Sequence, residues 1–133
     1  MQCVFIAGIQ SNGSSQIEVG SDGKPIISLS GSSNIFTHLE HFPGTRYQRV
    51  LSGKHQAHIP KMDYSPDVIF NEITDPDSHK VALLNCKNLI ASQGKPAVNH
   101  PDAILGTTRD LISANLSGIA GLKTPLTVRI KPR

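Results

Sequence analysis

Polar side chains suited to holding a substrate follow two apolar runs of the sequence. Asn71 and Asp75 come after the first run, and Asn99 and His100 come after the second. An amide and a carboxylate can orient an amine or a hydroxyl group, and a histidine can bind a ligand or transfer a proton near neutral pH. Pro101 favours an extended conformation at His100, which projects that side chain from a loop. The alternative interpretation is structural: Asp75 caps a helix, Asn71 satisfies loop backbone groups, and His100 is held by hydrogen bonds.

A third segment has the composition of an anion-binding helix start. Thr107 or Thr108 can cap a helix whose first backbone N–H groups are exposed, and Arg109 adds a bidentate partner for a carboxylate or a phosphate. The alternative is a helix cap with a surface ion pair between Arg109 and Asp110. The patterns Gly-x-x-x-x-Gly-Lys-Ser/Thr and Gly-x-Gly-x-x-Gly are absent from the sequence.

The histidines include two closely spaced pairs. His38 and His41 are three residues apart, as are His55 and His58, so each pair could supply two metal ligands from one face of a helix. A third ligand is not evident, and the pattern His-Glu-x-x-His is absent. We therefore predict no metal site.

Four basic residues follow one another without an intervening acid: Arg46, Arg49, Lys54 and Lys61. A solvated face is the simpler interpretation, and a phosphate-facing patch is the alternative. The chain has no tryptophan and only 5% aromatic residues, which disfavours stacking on nucleic-acid bases.

The second half of the chain alternates strand and helix patterns. Residues 67–71 are predicted to form a buried strand. A helix then starts at Asp75 and Pro76 and ends at Gly94, since Asp can cap, Pro suits the first helical position and Gly favours the end. Residues 96–99 form the next short strand.

The last elements complete the alternation. A second helix is predicted to bury the stripe Ile112, Leu116 and Ile119, and residues 126–130 form a last strand. This order favours an α/β fold with a mostly parallel sheet and helices on both faces. Right-handed crossovers bring all strand carboxyl ends to one edge, where such sheets bind ligands.

The first half is rich in Ser and Gly and has weaker patterns. Residues 16–19 and 25–29 predict a β-hairpin around the pair Asp22-Gly23. A short helix over residues 34–41 and a strand over residues 47–51 follow. The first residues, 1–9, are apolar but lack a positively charged start, so they predict a first strand rather than a signal peptide.

Length and composition fit a single domain over residues 1–133. Apolar residues make up 38%, charged residues 17%, and the net charge is +3. No apolar stretch is long enough for a transmembrane helix. Cys3 and Cys86 lack a CxxC-type spacing, so we predict two buried free thiols and a reducing, cytoplasmic environment.

The segments of the second half resemble the end of a pre-ATP-grasp domain. This Rossmann-like domain precedes the ATP-grasp fold in ligases such as glutathione synthetase, D-alanine–D-alanine ligase and the glutamate-adding ligases of ribosomal protein S6. The resemblance covers about half of the chain and leaves residues 1–66 unmatched. It rests on five segments in this order: Asp67-Val-Ile-Phe-Asn71, Thr74-Asp-Pro-Asp77, Pro96-Ala-Val-Asn-His-Pro-Asp-Ala-Ile-Leu105, Thr107-Thr-Arg-Asp110 and Gly121-Leu-Lys-Thr-Pro-Leu-Thr127.

The resemblance implies the substrate-side domain of a carboxylate–amine ligase-like protein. The residues that hold ATP and magnesium in that family would lie beyond Arg133, in a C-terminal ATP-grasp domain, so this chain alone would not catalyse ligation. Leu111 stands where members with an Arg-Asp-Lys signature carry the lysine.

The resemblance also implies a set of cleft residues. Arg109 would neutralise a carboxylate or acyl-phosphate, and Asn99 and His100 would orient a small-molecule carboxylate or amine substrate. The full set that we expect to face the cleft is Asn71, Asp75, Asn99, His100 and Arg109.

Two other classes of function remain open from the residues. One is a non-catalytic α/β protein-interaction module that uses the histidine pairs and the basic stretch, with nucleic acid disfavoured as the partner. The other is a free-standing nucleotide- or phosphate-binding domain with its site at the helix start formed by Thr107, Thr108 and Arg109.

Overall fold

A computed structural model of the chain describes residues 1–21, 23, 25–39, 41–55, 62–128 and 130. His58 and Lys61, which belong to a predicted histidine pair and to the basic stretch, lie outside the described residues. The strands and helices are, in chain order, β1 (Gln2–Gly8), β2 (Gln16–Val19), β3 (Pro25–Ser28), α1 (Ile35–His38), β4 (Thr45–Leu51), β5 (Val68–Asn71), α2 (Lys80–Gln93), β6 (Ala97–Val98), α3 (Pro101–Leu105) and α4 (Arg109–Ser117).

Four of the strands form one parallel sheet in the order β4-β1-β5-β6. β1 lies inside the sheet, where Gly8 aligns with Leu51 of β4 and Ile6 aligns with Asn71 of β5. Residues 3–8 are all buried, which explains why β1 is a continuous apolar run rather than an alternating one. The structure confirms an α/β fold with a parallel sheet whose strand carboxyl ends share one edge.

The main core lies between the sheet and α2. Val4 and Ile6 contribute from β1, Ile69 contributes from β5, and Leu83 and Cys86 contribute from α2. The two α2 residues lie three positions apart on one helical face, as the sequence pattern predicts. Packing on this face fixes α2 over the middle of the sheet.

A phenylalanine cluster covers the opposite face. The Phe5 ring stacks on Phe70 at a centroid distance of 4.9 Å and meets Phe36 and Phe42 edge-on at 5.6 and 6.5 Å. The Arg46 guanidinium lies 5.0 Å from the Phe36 ring centre, and its Nη1 donates to the Phe36 carbonyl at 2.9 Å. Arg46, one member of the basic stretch, therefore holds α1 against the sheet.

The helix that the sequence places at Asp75 begins later than predicted. A hydrogen-bonded turn precedes α2, which begins at Lys80. Asp75 caps that turn, because its Oδ1 accepts from the N–H groups of Asp77 and Ser78 at 2.9 and 3.3 Å. Gly94 adopts a left-handed conformation and ends α2, as predicted.

The predicted hairpin is present in the first half. β2 and β3 pair antiparallel, with Gln16 aligned to Ser28. The chain then runs back to the carboxyl edge of the sheet, where Ser32 forms an isolated antiparallel bridge with Ile73. The segment after the hairpin thus covers the end of β5.

Two predictions for the end of the chain are wrong. Ile112, Leu116 and Ile119 are 41, 36 and 53% exposed, so α4 does not bury its apolar stripe. Residues 126–128 and 130 form no strand, and Leu126 is 93% exposed.

The sequence analysis missed a short helix before α4. α3 packs beside α2, and the Lys87 ammonium joins the Asp102 carboxylate across them at 2.7 Å. Pro101 stands at the first position of α3, where its fixed backbone angle suits a helix. α3 therefore packs on α2, whereas α4, which follows it, leaves its apolar stripe exposed.

Both cysteines are buried free thiols, as the sequence predicts. Burial raises the pKa of the Cys86 thiol to about 12, and burial together with the Asp67 carboxylate raises that of Cys3. In the described part of the chain, no helix combines the length and the apolar character needed to cross a membrane.

Candidate functional site

The order of the strands changes direction between β1 and β5, whose carboxyl ends lie side by side at one edge of the sheet. After β1 the chain reaches β4 on one side, and it later returns to form β5 on the other side. Ligands of parallel α/β sheets bind preferentially outside the strand ends at such a change of direction. Two segments meet here, since Ser33 donates its N–H to the Glu72 carbonyl and Thr74 donates to the Gly31 carbonyl, both at 2.8 Å.

Three side chains at this edge form a hydrogen-bonded chain. The Ser78 hydroxyl donates to Asp75 Oδ2 at 2.6 Å and lies 2.8 Å from His79 Nδ1. Burial raises the pKa of Asp75, but the hydrogen bonds from the Ser78 hydroxyl and from the N–H groups of Asp77 and Ser78 outweigh it and leave the pKa below its ordinary value. The Asp75 carboxylate is therefore held ionised within its own loop.

His79 lies fully buried beneath the Gly31 backbone. Its exposed fraction is 0%, and a Cβ on Gly31 would lie 2.8 Å from His79 Nδ1. Since the Ser78 hydroxyl donates its proton to Asp75, His79 Nδ1 is the donor in the contact with the Ser78 oxygen. His79 Nε2 is buried without a hydrogen-bond partner among the described residues.

Glu72 is a second fully buried polar residue at this edge. Its Oε1 accepts from the Phe36 N–H at 2.7 Å and so caps α1. Its Oε2 and the Ser32 hydroxyl are buried without a hydrogen-bond partner in the described part of the chain. Buried atoms of this kind cost about 1–3 kcal/mol each when unpaired, so they are the points where a bound water or ligand group stabilises a protein most.

Asn71 and Asn99 tie the ends of β5 and β6 together. The Asn71 amide donates to the Asn99 carbonyl at 2.9 Å, and the Asn99 amide donates to the Asn71 carbonyl at 3.4 Å. Asn71 Oδ1 also accepts from the Ile73 N–H at 3.1 Å. The Asn71 side chain thus satisfies loop backbone groups, as the structural alternative for this residue proposed.

His100 stands at the capping position directly before α3 and two residues after the end of β6. Its Nδ1 accepts from the Asp102 N–H at 3.3 Å and lies 3.7 Å from the Asp102 carboxylate. The His100 side chain is 45% exposed. His100 therefore combines a structural capping role with an accessible face.

The start of α4 already contacts a carboxylate of the chain. Asp77 Oδ2 accepts from the Arg109 N–H at 3.3 Å and lies 3.7 Å from Arg109 Nε. Thr108 stands at the capping position but forms no side-chain cap, and Thr107 donates its hydroxyl to the Ile104 carbonyl at 2.7 Å. Arg109 is 85% exposed and, with Asp77, lines a cleft of ≈ 270 Å³.

The structure thus divides the predicted site residues between two places. Asn71, Asn99 and His100 follow the ends of β5 and β6, with Arg109 linked to the same edge through Asp77. Asp75 belongs instead to the hydrogen-bonded chain beneath Gly31.

Sequence reasoning missed the burial of His79 and of the Glu72 side chain. The signal for Glu72 was its place directly after a buried strand, where a carboxylate meets a neighbouring helix start. No local signal distinguished His79, because its burial depends on Gly31, which is distant in sequence.

Among the described residues, no group of three or more His, Cys, Asp or Glu side chains could hold a metal ion. We therefore assign no magnesium ligand to this part of the chain. Comparison of the sequence and the structure with protein-family models, curated proteins and solved structures gives no match.

Proposed function

We propose that this chain is the substrate-side domain of an ATP-grasp carboxylate–amine ligase-like protein, with a Rossmann-like, pre-ATP-grasp fold. One observation carries the proposal: four of the five segments that resemble that family contact one another in pairs. The Asn71 amide joins the first segment to the third at Asn99, and Asp77 joins the second segment to the fourth at Arg109, at the start of α4. Segments that are far apart in sequence would need this convergence to contact one substrate.

The residues at this edge would act by binding and orienting. Arg109 is anchored at Nε by Asp77, and its exposure leaves the guanidinium open to a carboxylate or acyl-phosphate. The half-exposed side chain of His100 and the amide of Asn99 would orient the substrate next to Arg109. ATP and magnesium, held by a following domain, would supply the activation of the carboxylate.

The test uses the full-length protein that contains this chain. ATP-dependent phosphate release is measured with a panel of small carboxylates and amines. Arg109→Gln should raise KM or lower kcat by about tenfold, since a charge-assisted contact is lost. Lys95→Gln, at the amino end of β6, serves as the control and should leave the kinetics unchanged.

Unchanged kinetics in Arg109→Gln would remove this residue from the site. Failure of every carboxylate and amine to stimulate ATP turnover by the active, folded protein would contradict the ligase proposal itself.

A specific observation favours a second candidate function, a non-catalytic protein-interaction module. Apolar side chains of α4 and the following segment are exposed together: Leu111, Ile112, Leu116, Ile119, Leu122, Leu126, Val128 and Ile130. Contiguous exposed apolar residues mark surfaces that contact another protein surface. A purified chain that binds a partner protein through this surface, with substitution of Leu126→Asp abolishing the complex, would favour this function over the ligase.

A further inference from the structure

The two tyrosines of the chain form one closely stacked pair. Tyr47 and Tyr64 are the only tyrosines in the sequence, which has no tryptophan. Their ring centroids lie 3.9 Å apart, and the ring planes meet at 15°. Aromatic pairs in proteins usually have ring centroids about 4.5–7 Å apart, so this pair is closer than usual. Carbon atoms of the two rings therefore lie in van der Waals contact.

The pair joins two separate segments of the chain, and packing holds both of them. Tyr47 is in β4, where it aligns with the buried Val4 of β1. Tyr64 lies between β4 and β5, in a segment fixed by the buried residues Met62 and Pro66. Both rings pack against the core between the sheet and α2. The stacked arrangement is therefore a fixed feature of the fold.

Both phenols remain within reach of solvent, whereas the thiols of the chain do not. Tyr47 and Tyr64 are only partly buried, but Cys3 and Cys86 are 0% exposed. The raised pKa values of Cys3 and Cys86 keep these thiols protonated, which protects them from oxidation. Burial also raises the pKa of the Tyr64 phenol, so this ring carries its proton at neutral pH. The stacked pair is therefore the more accessible target for a one-electron oxidant.

We infer that Tyr47 and Tyr64 are a site of oxidative cross-linking, at which a peroxidase-type one-electron oxidant joins the two rings through a carbon–carbon bond. Each ring loses one electron to the oxidant and its phenolic proton to solvent, which leaves two tyrosyl radicals. The radicals combine between Cε atoms, beside the hydroxyl-bearing carbons. Each coupled carbon then loses its hydrogen as a proton, and each phenolic oxygen regains one. The electrons and protons released reduce one hydrogen peroxide to two waters.

The stacked geometry favours coupling within one chain over coupling between chains. Reacting groups that are held in contact behave as if they were present at a very high concentration. The new bond would fasten β4, at the end of the strand order, to the segment that leads into β5. It would also close a loop in the unfolded chain, which stabilises the fold. Neither tyrosine belongs to the proposed substrate site, so this inference stands apart from the ligase proposal.

The test treats the dilute, folded chain with a peroxidase and hydrogen peroxide. We expect dityrosine fluorescence in the monomer fraction. Mass spectrometry of a protease digest should find the peptides of Tyr47 and Tyr64 linked, with two hydrogens fewer than the separate peptides. The linked chain should unfold at a higher temperature than the untreated chain. Tyr47→Phe and Tyr64→Phe keep a ring but remove one phenol, so each should abolish the link.

A matched variant separates stacking from mere nearness along the chain. Tyr64→Phe combined with Ser65→Tyr keeps two tyrosines but moves one of them to an exposed neighbouring position. We expect its yield of cross-linked monomer to be about tenfold lower, because the stacked contact is lost. Thermal unfolding before oxidation shows that each variant is folded.

Three results would overturn the inference. The first is the absence of a link between residues 47 and 64 in the oxidised native chain. The second is an equal yield from the variant that combines Tyr64→Phe with Ser65→Tyr, which would show that the stacking plays no part. The third is dityrosine confined to covalent dimers, which would show that the rings react between chains rather than with each other.

Discussion

At the scale of single residues, the position of His79 depends on a glycine far away in sequence. Gly31 has a φ of +78° and lies over the His79 ring. Gly121 has a similar φ of +82° but has no atom within 4 Å of its Cβ position. A comparison of substitutions at Gly31 and Gly121 therefore separates the cost of the left-handed backbone conformation from the cost of the contact with His79.

We predict that Gly31→Ala destabilises the chain more than Gly121→Ala. Both substitutions place a Cβ in the left-handed region, at about 1–2 kcal/mol each. Gly31→Ala also forces His79 aside, which adds about 1–3 kcal/mol of overpacking. Urea unfolding of both variants measures the difference, and equal losses of stability would show that Gly31 and His79 do not touch.

Asp75 gives a pH-dependent prediction. Its pKa is lower in the folded chain than in the unfolded chain, where it is about 3.9, so the ionised form stabilises the fold above that value. Asp75→Ala should lose about 1 kcal/mol at neutral pH through the missing cap. The difference in unfolding free energy between the native chain and Asp75→Ala should shrink as the pH falls below about 4 and through the pKa of Asp75 in the folded chain. At that pH the Asp75 carboxyl of the native chain becomes protonated, so the native chain also lacks the ionised carboxylate.

The measurement is urea unfolding of native chain and variant across this pH range. Asp63→Ala, an exposed aspartate outside this loop, provides the control. A difference between the native chain and Asp75→Ala that stays constant with pH would show that the ionised carboxylate contributes no stability.

At the scale of the elements, α2 and α4 look similar in sequence but are packed differently. Leu89 of α2 is 1% exposed, and Leu116 of α4 is 36% exposed. Leu89→Ala should therefore cost about 2–5 kcal/mol of unfolding free energy, as core leucines do. Leu116→Ala should cost less than about 1 kcal/mol. Denaturant unfolding of the two variants compares them, and similar losses would indicate that α4 is packed on a core in solution.

Local signals predicted some element boundaries and missed others. Gly94 ends α2 where expected, because a left-handed residue stops a helix whatever surrounds it. The start of α2 was placed too early, because Asp75 caps an isolated turn by the same hydrogen bonds that would cap a helix. Burial of the α4 stripe could not be predicted, since amphipathic spacing does not say whether a partner surface is present.

At the scale of the whole molecule, the two thiols report on the opening of the fold. Cys3 is on the central β1 and Cys86 is on α2, and both are fully buried. The raised pKa values keep both thiols protonated at mildly alkaline pH, and thiols in this form are poor nucleophiles.

We predict that a disulfide reagent labels neither cysteine rapidly in the native chain and labels both at once in denaturant. In the native chain, α2 covers Cys86, whereas Cys3 lies on the opposite face of the sheet with Phe5, so both sites should react at one common slow rate only when the whole fold opens. Mass spectrometry of the labelled peptides follows each site separately. Fast labelling of Cys86 alone would show that α2 opens without the sheet.

Local sequence patterns placed some residues of the candidate site, and tertiary packing placed the others. The sequence placed Asn71 and Asn99 at the ends of strands, and the structure shows them bonded to each other across β5 and β6. The sequence offered no way to place Gly31 over the His79 ring, because that contact joins two loops that are distant in sequence.

By itself, the sequence determined which segments are strands and helices in the core of the fold, that the sheet is parallel, and that the thiols are buried. These properties follow from apolar patterning and from glycine and proline preferences, which act over a few residues. Only the tertiary structure decided that α3 packs beside α2, that Gly31 lies over His79, and that the apolar stripe of α4 stays exposed. The physical reason is that burial and side-chain contact depend on which distant segments pack together, and local propensity carries no information about that packing.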